Sequence, residues 1–279
     1  MVENEWMRER LSESEILPTE IDTSTPSIAR VYDYFLKGKD NFAADREVAE
    51  QIIEAAPEAA IAAESNRGVL RRAVRHLVAD AGIRQFIDIG SGLPTQGNVH
   101  EVAHAIDPQA RVVYVDNDPI VLAHGRALLA ETDTTTVIQA DIREPGQILD
   151  NPDTQALIDF TEPVGLLLAG IIHHVQDEED PERIMARLRD ALPSGSYVLL
   201  THFFDPGDDP VAARFESIMQ EGFETGRYRR RDEIEPFFDG LELLEPGLVH
   251  LHQWRPDPQE PEQEHYLQKY VVAGLACKP

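Results

Sequence analysis

The sequence is poor in features that would place it in an oxidising compartment or in a membrane. It contains one cysteine, Cys277, so the chain has no disulfide framework and no cysteine-based zinc site. It has no run of about 18 apolar residues, and the N-terminus, Met-Val-Glu-Asn-Glu-Trp, has neither a basic start nor an apolar core. We therefore expect a cytoplasmic protein with no membrane association.

Basic residues are scarce as well, with 25 Lys and Arg against 51 Asp and Glu, for a formal net charge of −26. A phosphate backbone requires a lysine and arginine surface, so this balance argues against a nucleic-acid partner. The one basic cluster, Arg229-Arg230-Arg231, is followed directly by acidic residues, which indicates a solvated, self-paired face. A small molecule is the expected partner.

The N-terminal third is predicted to be helical. Residues 1 to 22 are polar and acidic, which is typical of a weakly ordered tail. Apolar residues then recur at helical spacing from Pro26 to Gly38, from Ala43 to Ala56 and from Ala59 to Ala79. We predict a helical cap over residues 23–82, followed by one domain over residues 83–279.

From residue 83 the pattern is that of an α/β fold. Five runs separated by helical or loop segments are strand candidates: Phe86–Ile89, Arg111–Val115, Thr135–Gln139, Val164–Ala169 and Tyr197–Thr201. Three later β-like runs lack intervening helices: Leu241–Leu244, Leu248–Gln253 and Tyr266–Ala276. We predict a seven-stranded mixed sheet that finishes with a C-terminal antiparallel hairpin and an exposed, Pro-rich connection from Trp254 to Pro261.

A glycine-rich turn follows the first predicted strand. In the stretch from Gln85 to Thr95, Asp88 lies near the strand end, and Gly90 and Gly92 flank one small residue. Two such glycines let the backbone approach a ligand closely at the carboxyl edge of a sheet. A glycine-rich turn without a ligand is the alternative interpretation.

Acidic residues at the next two strand ends favour a nucleoside ligand. Asp116 and Asn117 follow the second strand, and Asp141 and Ile142 follow the third. An acid at a strand end is often only a helix N-cap. In register with a glycine turn, however, Asp116 can accept both ribose hydroxyls, Asp141 can accept from an adenine amine, and Ile142 can cover the ring. We therefore predict an adenosine cofactor.

The turn itself discriminates between adenosine cofactors. A dinucleotide fingerprint needs a third glycine or alanine at position 95, where the helix aims its N-terminus at a pyrophosphate. This chain has Pro94 and Thr95 instead. The turn therefore favours S-adenosylmethionine, which has no phosphate, over NAD or FAD.

The chain resembles the class I S-adenosylmethionine-dependent methyltransferases and, more narrowly, an actinobacterial family called domain of unknown function 574. The narrow resemblance is carried by the segments Ala29 to Phe42, Asn66-Arg67, Gly82 to Thr95, Asn98 to Glu101 and Val113 to Pro119. It covers nearly everything from residue 26 to the end and departs from the family pattern at Lys37 and Ser91. The resemblance implies a Rossmann-like methyltransferase fold and S-adenosylmethionine as the cofactor.

Residue roles also follow from the resemblance. It implies that Gly90 and Gly92 pass under the methionine part of the cofactor and that Asp116 holds the ribose. It further implies that Asp141 with Ile142 holds the adenine and that Asn117 lines the adenine side. The methyl acceptor is not implied.

Two histidines after the fourth predicted strand are candidate catalytic residues. The segment from Gly170 to Val175 contains His173 and His174 at the edge where acceptor and methyl donor meet in methyltransferases. A positioned base contributes on the order of 10²–10⁴-fold in rate. The alternative is an imidazole that only packs or caps the next helix, since methyl transfer to a strong nucleophile needs no base.

The helical cap supplies candidate lid residues. Tyr32, Asn41 and Phe42 cluster around a turn that could close over cofactor and acceptor and exclude water. Arg67 is a candidate bidentate partner for the cofactor's carboxylate. Packing of the aromatic rings and a surface ion pair of the arginine are the respective alternatives.

No metal is expected. His100 with His104 and His250 with His252 share helical or strand faces, but no HExxH motif or cysteine set accompanies them. The leading hypothesis is thus a methyltransferase acting on a small molecule. The alternatives are an S-adenosylmethionine-binding sensor or partner subunit and, more weakly, a nicotinamide-dependent oxidoreductase.

Overall fold

The computed structural model describes residues 22–94, 97–129, 133–207, 209–256 and 269–279. The predicted tail, apart from its last residue, lies outside this range, and so does most of the predicted connection after Trp254. Within the described residues no helix is long and apolar enough to span a bilayer.

Three helices precede the sheet, as the apolar spacing predicts. They are α1 (Ile28–Phe35), α2 (Ala43–Ala55) and α3 (Ala59–Ala79). Helix α1 ends before Gly38 because Lys37 adopts a left-handed conformation with φ of 59°. The loop that follows wraps around Asp33, which accepts hydrogen bonds from the backbone of Asp40 and the side chain of Asn41.

Strands and helices then alternate in the order of a parallel α/β fold. The strands are β1 (Gln85–Ile89), β2 (Arg111–Asp116), β3 (Thr135–Gln139), β4 (Gly165–Ala169), β5 (Tyr197–Phe203), β6 (Glu242–Leu243), β7 (Val249–His250) and β8 (Val271–Cys277). The helices are α4 (Val99–His104), α5 (Pro119–Leu129), α6 (Pro145–Leu149), α7 (Pro152–Leu157), α8 (Pro181–Ala191), α9 (Pro210–Phe223) and α10 (Arg231–Ile234).

The sheet has the order β3-β2-β1-β4-β5-β8-β6, with β7 also paired to β8. Strands β1 to β5 are parallel, whereas β8 is antiparallel to β5, β6 and β7. The sheet therefore has eight strands and not the predicted seven. The seventh position is shared by two short strands, because the edge is interrupted between them by Pro246, which cannot donate a ladder hydrogen bond.

Both faces of the sheet are covered, so the strands are buried almost throughout. One core cluster contains Ile87, Val113 and Leu166, and the cluster on the other face contains Phe86, Val112 and Leu167. Trp254 belongs to the second cluster and is fully buried, which corrects the prediction of an exposed connection at its first residue. Pro256 is exposed.

A further cluster joins the N-terminal helices to α9, a helix far along the chain. It contains Val31, Phe35, Ile52, Ile218 and Met219. These apolar contacts place α1 and α2 opposite the carboxyl ends of the parallel strands.

Candidate active site

One large cavity lies at the carboxyl edge of the sheet, the position at which open α/β sheets bind ligands. Its volume is about 890 Å³, near the upper end of the roughly 300–1,000 Å³ found for small-molecule sites. Residues of α1, α3 and α9 line it together with the ends of β1 to β5. Such a cavity has room for two small ligands side by side.

The cavity has two chemically different halves. The strand-end half is the part lined by Asp88, Gly90, Gly92, Asp116 and Asp141. The aromatic half is the part lined by His173, Thr201, Phe203, Val211, Phe215, Met219, Phe223 and Tyr228.

The glycine turn after β1 is fixed to the end of β2. The N–H groups of Gly90 and Ser91 donate to the carbonyl oxygen of Val115 at 2.8 and 3.1 Å. Gly90 has a φ of 71°, and a Cβ there would lie 2.7 Å from three side-chain atoms of Ile171. This position requires glycine for the packing of the protein itself.

Gly92 requires glycine for a different reason. Its φ is 67°, yet a Cβ at this position would meet no protein atom within 4 Å. The space above it is part of the cavity. A side chain at this position would therefore occupy the space of a ligand and not that of the core.

Asp116 holds the turn and keeps capacity for a ligand. Its Oδ2 accepts from the N–H of Gly92 at 2.8 Å, and its Oδ1 accepts from the N–H of Asp118 at 3.0 Å. A carboxylate has about four lone-pair sites, so each oxygen can still accept a hydroxyl. Burial raises the pKa of this carboxyl to about 6, although these backbone hydrogen bonds lower it.

Asp88 is a second buried carboxyl at the same end of the cavity, with 3% of its surface exposed. Burial raises its pKa to about 7. The adjacent Asp116 raises the pKa further, and Arg67 acts in the opposite direction. The strand-end half therefore contains two carboxyls that ionise near neutral pH and that a cationic ligand would favour in the charged form.

The third strand end also lies in this half. Asp141 and Ile142 line the cavity together with Asn117, whose amide donates to Asp141 Oδ2 at 3.3 Å. Arg143 donates to the same oxygen at 3.0 Å and to Glu179 at 2.6 Å. The carboxylate of Asp141 is thus held at the edge of the cavity with Ile142, which is 5% exposed, beside it.

Of the predicted lid residues, Tyr32 and Arg67 reach the cavity. The hydroxyl of Tyr32 donates to the carbonyl oxygen of Ala63 at 2.9 Å and accepts from the amide of Asn66 at 3.1 Å. Arg67, which is 8% exposed, donates to the side chain of Asn98 at 3.3 Å. Asn66, which lies next to Arg67 in the chain, also lines the cavity, although its sequence context alone does not indicate a site residue.

Asn41 and Phe42 do not line the cavity. The amide of Asn41 donates to Asp33 at 2.8 Å and so stabilises the loop after α1. The ring of Phe42 packs against the cluster of Leu93, Ile120 and Val121, with the guanidinium of Arg30 5.5 Å from its centre. Asn41 therefore stabilises the cap internally, whereas Phe42 attaches the cap to the rest of the protein.

The cap is also attached through charged groups. Ser27 donates to the Asp118 carboxylate, and Arg30 lies 3.6 Å from the same group and 3.5 Å from Asp45. Asp118 lies two residues after the end of β2. The start of α1 is thereby fixed to the strand end that carries Asp116.

His173 lies between the two halves. Its ring stacks on Phe203 at a centroid distance of 3.6 Å, and its Cε1 lies 3.8 Å from where a Cβ of Gly170 would be. Its Nδ1 is buried and makes no hydrogen bond to the described residues. Burial lowers the pKa of His173 well below its usual value, with further lowering by His174, His202 and Arg229.

His174 and His202 complete a buried cluster of imidazoles. Their ring centroids lie 4.4 and 5.6 Å from that of His173. Burial lowers the pKa of each to about 3, so all three rings are neutral at pH 7. Arg229 donates to Nε2 of His202 at 3.0 Å and to Asp177 at 2.7 Å. This arginine is 2% exposed and corrects the prediction of a solvated basic face, which describes only Arg230 and Arg231.

The aromatic half was missed by sequence reasoning. Helix α9 contributes Val211, Phe215, Met219 and Phe223, which recur every four residues and face the cavity. The spacing was a usable signal, but the same stripe is expected of any helix packed on a core. Only the tertiary structure shows that the stripe faces open space.

The described residues contain no group of three or more His, Cys, Asp or Glu side chains that could hold a metal ion. His100 and His104 instead bond to Tyr114 and to the carbonyl oxygen of Ala110, respectively.

Known proteins that are similar to this chain include methyltransferases. The profile of a family described as S-adenosyl methyltransferase matches residues 14–279. A crystal structure from Thermobifida fusca YX, provisionally assigned as a methyltransferase, has 44% identity and a TM-score of 0.89, covering 95% of this chain and 99% of that chain. A DUF574 family protein from Streptomyces avermitilis MA-4680 has 40% identity and a TM-score of 0.88, covering 93% and 100%. A curated relative, trans-aconitate 2-methyltransferase from Escherichia coli O1:K1, is 26% identical over 230 residues, or 75% of this chain and 83% of that protein.

Proposed function

The chain belongs to the S-adenosyl methyltransferase family, and from this premise we propose that it transfers the methyl group of S-adenosylmethionine to a small-molecule acceptor. The observation that carries this proposal is the single cavity in which the strand-end half adjoins the aromatic half. When bound, S-adenosylmethionine supplies a methyl group activated by a sulfonium. We assign it to the strand-end half and the acceptor to the aromatic half.

The strand-end half fits the cofactor. The open space above Gly92 can accept the methionine part, and the free lone pairs of Asp116 can accept the ribose hydroxyls. Asp141, Asn117 and Ile142 would hold the adenine. These roles agree with those that the sequence resemblance implies.

The cofactor's charged groups have partners in the same half. Asp88 is suited to a positive charge, and Arg67, which is drawn toward it electrostatically, is suited to a carboxylate. Tyr32 and Gly170 would line the space between cofactor and acceptor. We do not assign Asn41 and Phe42 to the cofactor, since they contact the protein itself.

Asp116→Ala is expected to weaken the binding of S-adenosylmethionine about 10- to 100-fold, because hydrogen bonds to a charged acceptor contribute about 1.5–3 kcal/mol each. Titration calorimetry of the wild-type protein and the variant measures this, with NAD as a second ligand that is expected not to bind. Asp133→Ala removes an exposed carboxylate just before β3, at the opposite edge of the sheet, and is the matched control. Equal affinity in all three proteins would show that the ribose does not lie at Asp116.

We propose that His173 accepts the proton of the acceptor, because its neutral ring lies where the two halves meet. His174, whose pKa is lowered by burial and by Arg143, would orient the ring of His173. His173→Gln is therefore expected to lower kcat for a hydroxyl acceptor by about 10²-fold or more, with little change in the affinity for S-adenosylmethionine. The formation of S-adenosylhomocysteine from S-adenosylmethionine with phenols as methyl acceptors measures this, with the exposed His252→Gln as control. A variant as fast as the wild type would remove His173 from the mechanism.

The name of the Escherichia coli relative suggests trans-aconitate as an acceptor, but the cavity does not favour it. Trans-aconitate is a tricarboxylate, and the described residues of the aromatic half include no lysine or arginine. We therefore propose a different acceptor. No observation favours a cofactor sensor or a nicotinamide-dependent oxidoreductase over the methyltransferase.

The single cysteine remains our reason for proposing a cytoplasmic location.

A further inference from the structure

We propose that the acceptor is an uncharged, flat aromatic molecule that is methylated on a hydroxyl group. This inference rests on the proposed function and adds the class of acceptor to it. It follows from three properties of the aromatic half: the geometry of its rings, the charges around it, and the polar atoms that lack partners.

The rings of the aromatic half form flat walls. Phe203 is stacked between His173, at 3.6 Å and 19°, and Tyr228, at 5.0 Å and 17°. Phe215 presents its ring edge-on to Phe203 at 5.3 Å and 80°. These contacts cover Phe203, and the rings of His173, Phe215 and Tyr228 beside it also line the cavity. A planar ring can stack on them or lie edge-on to them, since aromatic pairs prefer these two arrangements.

The side of the cavity formed by α9 is apolar and adaptable. Val211, Met219 and Phe223 project from the same helix face as Phe215. Methionine fills irregular gaps and makes favourable contacts between sulfur and aromatic rings. These side chains can adapt their packing to the shape of a ring system, but none of them carries a charge that could pair with a charged acceptor.

Among the described residues, no lysine, arginine or buried carboxylate lines the aromatic half. The three arginines among its described lining residues belong to the strand-end half, where Arg30 faces Asp45 and Asp118, Arg143 faces Asp141, and Arg67 acts on Asp88. Glu221 and Glu224 lie at the aromatic half but are exposed. The three buried histidines are neutral. A charged acceptor would therefore be buried here without a counterion, which is strongly unfavourable.

Two polar atoms in the aromatic half lack partners among the described residues. They are Nδ1 of His173 and Oγ1 of Thr201, and both residues are almost fully buried. Buried polar groups normally have a hydrogen-bond partner. Both residues line the cavity, and a hydroxyl on the acceptor can donate to the neutral imidazole of His173.

Methylation of a hydroxyl group releases one proton, and His173 can accept it. The bond between the methyl carbon and the sulfonium sulfur breaks, its electron pair stays on sulfur, and S-adenosylhomocysteine results. The acceptor oxygen forms the new bond to the methyl carbon. Its proton passes to His173, which later releases it to solvent.

Three matched naphthalenes test the inference by calorimetry on the protein saturated with S-adenosylhomocysteine. At pH 7.5, 2-naphthol is neutral, 2-naphthoate is an anion and 2-naphthylmethylamine is a cation. We expect 2-naphthol to bind at least about tenfold more tightly than either charged probe, because an unpaired buried charge is costly. Equal or tighter binding of a charged probe would overturn the inference, as would the failure of all three to bind.

Two substitutions on α9 locate the probe. Phe215→Arg places a cation in the aromatic half and is expected to reduce the preference for 2-naphthol over 2-naphthoate at least tenfold. Ala213→Arg places the same charge on the exposed face of the helix and should leave the preference unchanged. An unchanged preference in Phe215→Arg would show that the probe binds elsewhere, and Phe215→Leu, expected to weaken 2-naphthol binding without altering charge selectivity, tests the same wall if the arginine variant does not fold.

Failure of this inference differs from failure of the proposed function. Loss of the 2-naphthol preference in a protein that binds S-adenosylmethionine would overturn only the class of acceptor. A wild-type protein that folds but binds no S-adenosylmethionine would overturn the proposed function itself.

Discussion

Replacing Asp88 by asparagine is expected to stabilise the protein more at pH 8 than at pH 5, by a difference of about 3 kcal/mol. The pKa of this carboxyl is raised from 3.8 to about 7, chiefly by burial. Between these two values the folded protein binds more protons than the unfolded chain, so the stability due to this group is lost as the pH rises from about 4 to about 7. Asparagine does not titrate. Urea unfolding of the wild-type protein and the variant at pH 5 and pH 8 measures the difference.

The same substitution is expected to weaken S-adenosylmethionine binding about tenfold, since a charge-assisted contact contributes about 1.5 kcal/mol or more. Asp88 would then be a residue that lowers stability for the sake of binding, as functional residues often do. Asp133→Asn removes the same charge from an exposed position and should change neither property. A stability gain of equal size at both pH values would show that Asp88 is already ionised at pH 5.

Gly92→Ala is expected to lower chiefly the cofactor affinity, whereas Gly90→Ala is expected to lower chiefly the stability of the fold. Gly92→Ala should fold and lose about 10- to 100-fold in S-adenosylmethionine affinity, because a Cβ in ligand space produces overpacking of about 1–3 kcal/mol. Gly90→Ala should lower stability by about 2–4 kcal/mol, since the left-handed backbone and the 2.7 Å contacts with Ile171 are both unfavourable. Thermal unfolding and calorimetry on each variant separate the two effects.

Gly82 provides a matched control for this pair. It has a φ of 71°, and a Cβ there would also meet no atom within 4 Å, but it lies in the turn before β1, away from the cavity. Gly82→Ala should therefore lose about as much stability as Gly92→Ala and keep its cofactor affinity. If Gly92→Ala binds S-adenosylmethionine as tightly as Gly82→Ala does, the cofactor does not approach the turn.

Most of the fold was predictable because local patterns specify it. The apolar spacing predicted α3 to the residue and placed β1 to β5 within two residues at each end. The predicted number of strands was wrong because an edge strand of two short pieces has too few residues to show a pattern. The assignment to the S-adenosyl methyltransferase family, inferred from the segments around Gly90 and Asp116, is confirmed.

The candidate site was predictable only in part. Asp116 is the last residue of β2 and Asp141 lies two residues after β3, so parallel pairing brings them to one edge without further information. Asn41 and Phe42 were selected because they are polar or aromatic and lie in a loop, which does not specify the direction of a side chain. The aromatic half combines β5, α9 and the segment containing Tyr228, whose mutual positions depend on long-range packing.

The sequence by itself determined the α/β class, the glycine turn and the acids of the strand-end half, since each depends on residues adjacent in the chain. Only the tertiary structure decided that α9 lines a cavity and that Arg229 is buried against His202. It also decided that no lysine, arginine or buried carboxylate among the described residues lines the aromatic half. These properties arise from contacts between segments far apart in the chain. The sequence thus identified the cofactor, whereas the packing of distant segments determines which acceptor can lie beside it.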